Sequence, residues 1–294
     1  MIRIGVNPIG WTNDDLPELG GDTPLEVCLR EAREAGYEGI ELGRKFPRRA
    51  AELRPILDRH GLALVSGWYG AQLRTRTAKE ELAAVADHLT LLADMGCQVM
   101  VFAEVTGAVH GQRGVPLSQR PRLQGVDWRR FGEELTEVAE RLRARGVRLA
   151  YHHHMGTAVE TEEEIDQLMG MTGQAVGLLL DTGHLTYAGG DVARVARRHA
   201  RRLVHVHCKD VRPAVLAEAR RRDQSFLDAV VAGVFTVPGD GSIDYAALLP
   251  ILKDAGYSGW LVVEAEQDPA LAHPLTYARM GFTNLRGAVA AAGL

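Results

Sequence analysis

The sequence predicts a closed (β/α)8 TIM barrel, an α/β fold forming a single domain over residues 1–294. Three observations lead there. Amphipathic helix patterns repeatedly run into a glycine and then into a short apolar strand, as in EAREAGYEGIEL (31–42), LADMGCQVMVFAE (92–104) and LKDAGYSGWLVVE (252–264). Those strands are too apolar to be half-exposed, which suits parallel strands covered on both faces. Eight such units fit within the 294 residues, and nearly every strand ends in a polar or ionisable residue. In a barrel of this kind those ends form the reactive mouth.

The strands are expected at 3–6, 39–42, 62–66, 98–102, 148–151, 176–180, 203–206 and 260–263. Glycine just past a helix takes the left-handed conformation without a Cβ penalty, so each glycine marks a helix end. A doubly wound open sheet is the competing fold. It would need a GxGxxG after the first strand to hold a dinucleotide, and none follows there. Two long segments interrupt the repeat. Residues 104–127 are rich in glycine and proline and follow the fourth strand, which suggests a lid. Residues 209–243 carry an expected helix at 213–222 and a GDG turn entering a helix capped by Ser242 or Asp244.

The formal net charge of −4 argues against bulk attraction to nucleic acid or an anionic membrane. No apolar run reaches the roughly 18 residues of a membrane span, and the N-terminus carries no signal-peptide pattern. Cys28, Cys97 and Cys208 are odd in number and far apart, the pattern of reduced thiols in a cytoplasmic enzyme. Arginines at 194–202 read as a solvated helix face, and Arg220–Arg222 as that or a subunit contact in a homo-oligomer.

The strand ends present Asn7, Glu41, Ser66 with Trp68, Glu104, His152 with His154, Asp181 with His184, His207 with Lys209, and Glu264 with Glu266. Residues two apart on a strand share a side, so each of the pairs 152/154, 207/209 and 264/266 points one way. Burying so many polar groups is costly unless they pair or bind a cation. His152, Asp181, His207 and Glu264 come from four successive strands and make a metal-ligand set. Mixed imidazole and carboxylate suits Mn²⁺, Co²⁺, Zn²⁺ or Fe²⁺ better than Ca²⁺. His153 and Cys208 face the other way, into the helix layer. Trp11 and Trp68 are either rim packing or an apolar wall for a ring-shaped ligand.

At LLLDTGHL (178–185), HVHCKD (205–210) and GYSGWLVVEAE (256–266) the chain resembles the sugar isomerase/epimerase superfamily with a xylose-isomerase-like barrel. It resembles the inosose dehydratase family more closely, through GVNPIGWTNDDLPELGGDTPLE (5–26), AYHHHMGT (150–157), FLDAVVAGVFTVPGDG (226–241) and VVEAEQDPA (262–270). The resemblance implies a hydro-lyase acting on 2-keto-myo-inositol, using Mn²⁺ or Co²⁺, with glutathione as an accessory cofactor. It also implies that Asp181, His207 and Glu264 bind metal. Where the epimerases of the superfamily end strand five with a metal-bound Glu, this chain has His152. That removes their symmetrical pair of glutamates and fits an elimination. Glu104, His184, Lys209, Glu264 and Glu266 are the candidate acid/base groups. Asn7, Trp11, Glu41, Trp68 and His154 are the candidate substrate contacts. A ketose epimerase and a non-catalytic sugar-binding barrel are the rival readings.

Overall fold

The computed structural model describes residues 1–294. Eight parallel strands close into a barrel: β1 (Ile2–Val6), β2 (Gly39–Leu42), β3 (Ala63–Ala71), β4 (Val99–Glu104), β5 (Arg148–His152), β6 (Val176–Asp181), β7 (Leu203–Cys208) and, after a two-stranded excursion, β10 (Gly259–Val263), which pairs with β1 and β7. The excursion is the antiparallel pair β8 (Asp210–Val211) and β9 (Phe235–Thr236). The helices between barrel strands are α1 (Leu25–Ala35), α2 (Ala50–His60), α3 (Ala78–Met95), α4 (Val126–Ala144), α5 (Glu162–Met171), α6 (Thr182–Ala188), α7 (Val192–Arg198) and α10 (Tyr245–Asp254), and α11 (Pro274–Ala292) closes the ring after the last strand. Within the insertion lie α8 (Pro213–Arg221) and α9 (Phe226–Val231).

Local chemistry sets the helix ends. Thr77 and Glu80 form a reciprocal capping box on α3, and Thr161 with Glu164 does the same for α5. Gly36 ends α1 at φ 111°, and a Cβ there would meet the Phe282 ring at 2.5 Å, so both conformation and space require glycine.

The third strand is longer than the expected 62–66. Trp68–Ala71 continue it by pairing with Val101–Glu104 on β4, after a register shift against β2 between Ile40 and Leu42. That shift carries Trp68 to the barrel mouth. The arginine run also departs from expectation. Arg194 and Arg198 do pair outward with Glu162 and Asp166. Arg202 instead turns inward and donates to the carbonyls of Met169, Gly173 and Val176, satisfying carbonyl groups at the end of α5 and beyond it.

The main apolar core lies between strands and helices, with a small layer of Val99, Val101, Ala150, Leu179 and Val204 buried as a separate group. A further separate cluster joins Val109 and Leu117 of the 105–125 loop to Leu216, Phe226, Val230 and Phe235 of the insertion. The two long segments therefore pack on each other above the mouth. Polar ties reinforce this: Arg113 Nε and Gly114 N donate to Asp228 at 2.9 and 3.1 Å, and Ser118 N donates to Asp223 at 3.1 Å.

Candidate active site

The C-terminal ends of β5, β6, β7 and β10 bring His152, Asp181, His207 and Glu264 together, with one donor atom of each within 4.8 Å of the others. All four are buried. Each is held by its outer atom so that an inner atom remains. His152 Nδ1 donates to the His153 carbonyl at 2.6 Å, leaving Nε2, which lies 3.6 Å from Asp181 Oδ2. Asp181 Oδ1 accepts from the His184 backbone at 2.7 Å, and Oδ2 has no hydrogen-bond partner. His207 Nε2 donates to Glu41 at 3.2 Å, so Nδ1 is the ring atom that can give a lone pair once its proton is lost. Glu264 Oε1 takes Lys209 Nζ at 2.7 Å. His207 Nδ1 and Glu264 Oε2 lie 2.6 Å apart, yet Nδ1 makes no aligned hydrogen bond. An imidazole nitrogen and a carboxylate oxygen this close without an aligned hydrogen bond are what a shared cation resolves, once that nitrogen has given up its proton. The donor set, two imidazoles and two carboxylates, fits a divalent transition ion.

Glu41 orders the floor. Its carboxylate accepts from Ser66 Oγ at 2.5 Å, His205 Nε2 at 2.9 Å, His207 Nε2 and, through the other oxygen, Asn7 Nδ2 at 2.8 Å. Burial opposes its ionisation, but the His207 and His205 imidazoles hold it well below the usual carboxylate range. Against its own burial, His207 is raised well above the ordinary imidazole range by Glu264 and Glu41. His152, buried beside His207, is pushed well below that range and is neutral.

Beside this set, Lys209 is fully buried, with Nζ bonded to Glu264, Glu266 and His184 Nε2. Burial favours the neutral amine, and Glu264, Glu266 and Asp181 overcome it, so the ammonium persists. Three carboxylates thus act against any lowering of this lysine by a neighbouring cation. Burial lifts Glu266 to about 7, with Lys209 opposing and Glu264 adding. Phe226 and Phe235, from the insertion, pack on the His184 ring at 5.5 and 5.3 Å and roof this cluster.

A cavity of about 90 Å³ opens over these groups, bounded by Asn7, Trp68, His152, His154, Glu264 and Glu266. The geometry thus gathers most of the sequence candidates. Two fall elsewhere. Glu104 alternates with the inward-facing Val101 and Ala103, so it turns to the helix side, where Oε1 accepts from Thr106 N at 2.8 Å. Trp11 packs into the core, its Nε1 donating to Glu31 at 2.7 Å, and does not reach the cavity. His184 and Lys209 lie behind the wall rather than on it. Sequence reasoning missed His205, although it shares the face of His207 by strand alternation. It also missed Asp14 and Asp15 on the wall, and His110 of the long loop, whose ring lies 5.1 Å from that of His154.

No helix is long and apolar enough to cross a membrane. Residues 29–286 match the family described as xylose isomerase-like TIM barrel. The chain is 56% identical over 292 residues to the rhizopine catabolism protein MocC of Rhizobium meliloti, covering 99% of this chain and 90% of that one. It is 44% identical over 279 residues to the inosose dehydratase of Geobacillus thermodenitrificans, covering 94% of each. Among solved structures, D-psicose 3-epimerase from Clostridium cellulolyticum H10 aligns with a TM-score of 0.69 at 16% identity, over 98% of this chain and 99% of that one. A protein called IOLI, solved with a zinc atom, aligns at 0.62 and 16% identity over 99% and 97%. Those two likenesses speak to the fold. Taken with the full-length sequence matches, they make the chain a member of the xylose isomerase-like TIM-barrel family and, within it, of the inosose dehydratase group.

Proposed function

We propose that the protein dehydrates 2-keto-myo-inositol to a trihydroxycyclohexane-1,2-dione with one divalent ion, Mn²⁺ or Co²⁺, held by His152, Asp181, His207 and Glu264. The observation that carries this reading is the convergence of those four donors beside the buried Glu266 carboxyl, in a chain 40–44% identical to proteins named inosose dehydratase. When bound, the ion supplies positive charge to the ketone oxygen as the neighbouring carbon loses its proton.

Glu266 lines the cavity, and its position near 7 suits a group that both takes and returns a proton at neutral pH. It removes the proton α to the ketone and hands it to the departing β-hydroxyl, which leaves as water. The α-carbon carries its own hydroxyl, so the resulting enol becomes the dione. Lys209 fixes the orientation of Glu264 and Glu266. Neutral His152 stands where an epimerase of the superfamily carries a second carboxylate, so the symmetrical acid/base pair of those enzymes is absent.

The test is incubation of Mn²⁺-loaded protein with 2-keto-myo-inositol, following dione absorbance and a product lighter by one water. Recovery of an epimerised ketone without water loss would replace this reading with an epimerase. The 56% identity to MocC supports a second reading, a step of rhizopine catabolism. Turnover of rhizopine in the same assay, with 2-keto-myo-inositol left intact, would favour it.

A further inference from the structure

Lys209 sits in surroundings made for a metal. His154, His184 and Glu266 form a second set of buried donors, with one atom of each within 4.8 Å of the others. The lysine ammonium reaches two of the three, His184 Nε2 at 2.9 Å and Glu266 Oε1, and also lies 2.7 Å from Glu264 Oε1 and 3.8 Å from Asp181 Oδ2. Glu266 Oε2 is buried with no hydrogen-bond partner, so the set holds more donor capacity than the lysine uses. Glu264 divides its two oxygens, Oε1 to the lysine and Oε2 to the side of His207. A carboxylate shared in this way is how two adjacent cations are bridged.

The fold also makes room for the lysine. A Cβ on Gly183 would lie 2.5 Å from Lys209 Cγ, so the glycine opens the channel through which the stem passes. The Phe235 ring lies 4.7 Å from Nζ. Asp181, Glu264 and Glu266 turn three carboxyl groups to Lys209, more acceptor charge than one ammonium alone offsets.

We propose that the Lys209 ammonium occupies a second divalent-cation position, a tethered cation bridged through Glu264 to the single exchangeable ion. The inference rests on the four-residue cation reading above and makes a separate claim. Wild-type protein holds one ion per chain even in excess Mn²⁺. Removing the lysine opens a second site built by His184, Glu266 and the freed oxygen of Glu264.

The experiment counts Mn²⁺ per chain by elemental analysis after dialysis, with electron paramagnetic resonance to detect coupled pairs. Wild type is expected to hold one ion and Lys209→Ala two, with spin-coupled signals. Lys209→Met, which fills the channel without charge, and the double variant Lys209→Ala/His184→Ala are each expected to hold one. Lys209→Ala recovered folded only when Mn²⁺ is present, at two ions per chain, supports the proposal. One ion in folded Lys209→Ala overturns it, as do two ions in Lys209→Met. Failure of Lys209→Ala to fold with Mn²⁺ present also counts against it, because the second ion should replace the lost charge. Wild type that binds no ion would overturn the four-residue reading instead.

Discussion

Replacing Glu41 by Gln should weaken cation binding without removing a ligand. The carboxylate accepts from four donors: Ser66, His205 and His207 at one oxygen, Asn7 at the other. An amide can keep its oxygen toward the three, which turns its NH₂ against Asn7 Nδ2 at the present 2.8 Å. Asn7 cannot flip to relieve this, because its Oδ1 already accepts from Ile9 N at 2.9 Å. One charge-assisted bond becomes a donor–donor clash in a buried place, a loss of about 2–4 kcal/mol of folding stability. The His207 ring also loses the charge that fixes Nε2–H and leaves Nδ1 bare. Loss of such an outer partner typically lowers metal affinity about 10–100-fold, or about 1.4–2.8 kcal/mol. Calorimetric titration with Mn²⁺, beside thermal unfolding in a chelator, measures both quantities. Unchanged affinity and unchanged melting temperature would refute the claim that Glu41 orients His207.

Cation binding should be proton-linked. Glu264 and Glu41 raise His207 above the ordinary imidazole range despite burial, so the imidazolium must give up a proton to become a ligand. Apparent Mn²⁺ affinity should therefore fall about tenfold per pH unit below that raised value, and a pH-independent affinity between pH 6 and 8 would contradict this. Asp228→Ala removes the acceptor of Arg113 and Gly114, so thermolysin should nick the 105–125 loop several-fold faster, with protection regained when a cyclic ketone binds; equal rates with and without the substitution would argue against a pinned lid. Gly132→Ala places a Cβ 2.3 Å from the Met171 carbonyl oxygen, where α4 meets α5. Overpacking of this kind costs about 1–3 kcal/mol, and a melting temperature equal to wild type would show that the contact relaxes freely.

Strand alternation and the polar ends of apolar runs made the convergence of His152, Asp181, His207 and Glu264 readable, because the ends of β5, β6, β7 and β10 each turn one donor inward. Alternation also decides Glu104, but only once the register is known: Val101 faces the cavity, and Glu104, three residues on, faces away. The strand runs on to Glu104 rather than ending at 102, so alternation rather than loop geometry sets the direction of that side chain. Of its two readings, Trp11 takes packing rather than a ligand wall for another reason. It lies in an irregular turn after β1, where no period applies, and its indole found Glu31 on α1. The extension of β3 depends on a register shift against β2 that the one-dimensional pattern does not encode. Arg202 looked like its arginine neighbours, and only the end of α5 beside it made the inward position favourable. His205 was available to the alternation argument, but its partner Glu41 lies 164 residues away in the chain.

The small apolar cluster between the loop and the insertion has its own consequence. It is separate from the core that binds strands to helices, and its members come from residues 109–117 and 211–235 as well as Leu16, Met155 and Tyr187. Clusters with few members open at lower free energy than the main core and tend to open as one unit. Backbone amides of Val109, Arg212 and Val234, all bonded within this region, should then exchange with deuterated solvent together, well before those of β6 and β7. The roof of the cavity would breathe as one breakable plate over a staved vessel that stays closed, letting a ring-sized molecule leave without disturbing the four donors beneath.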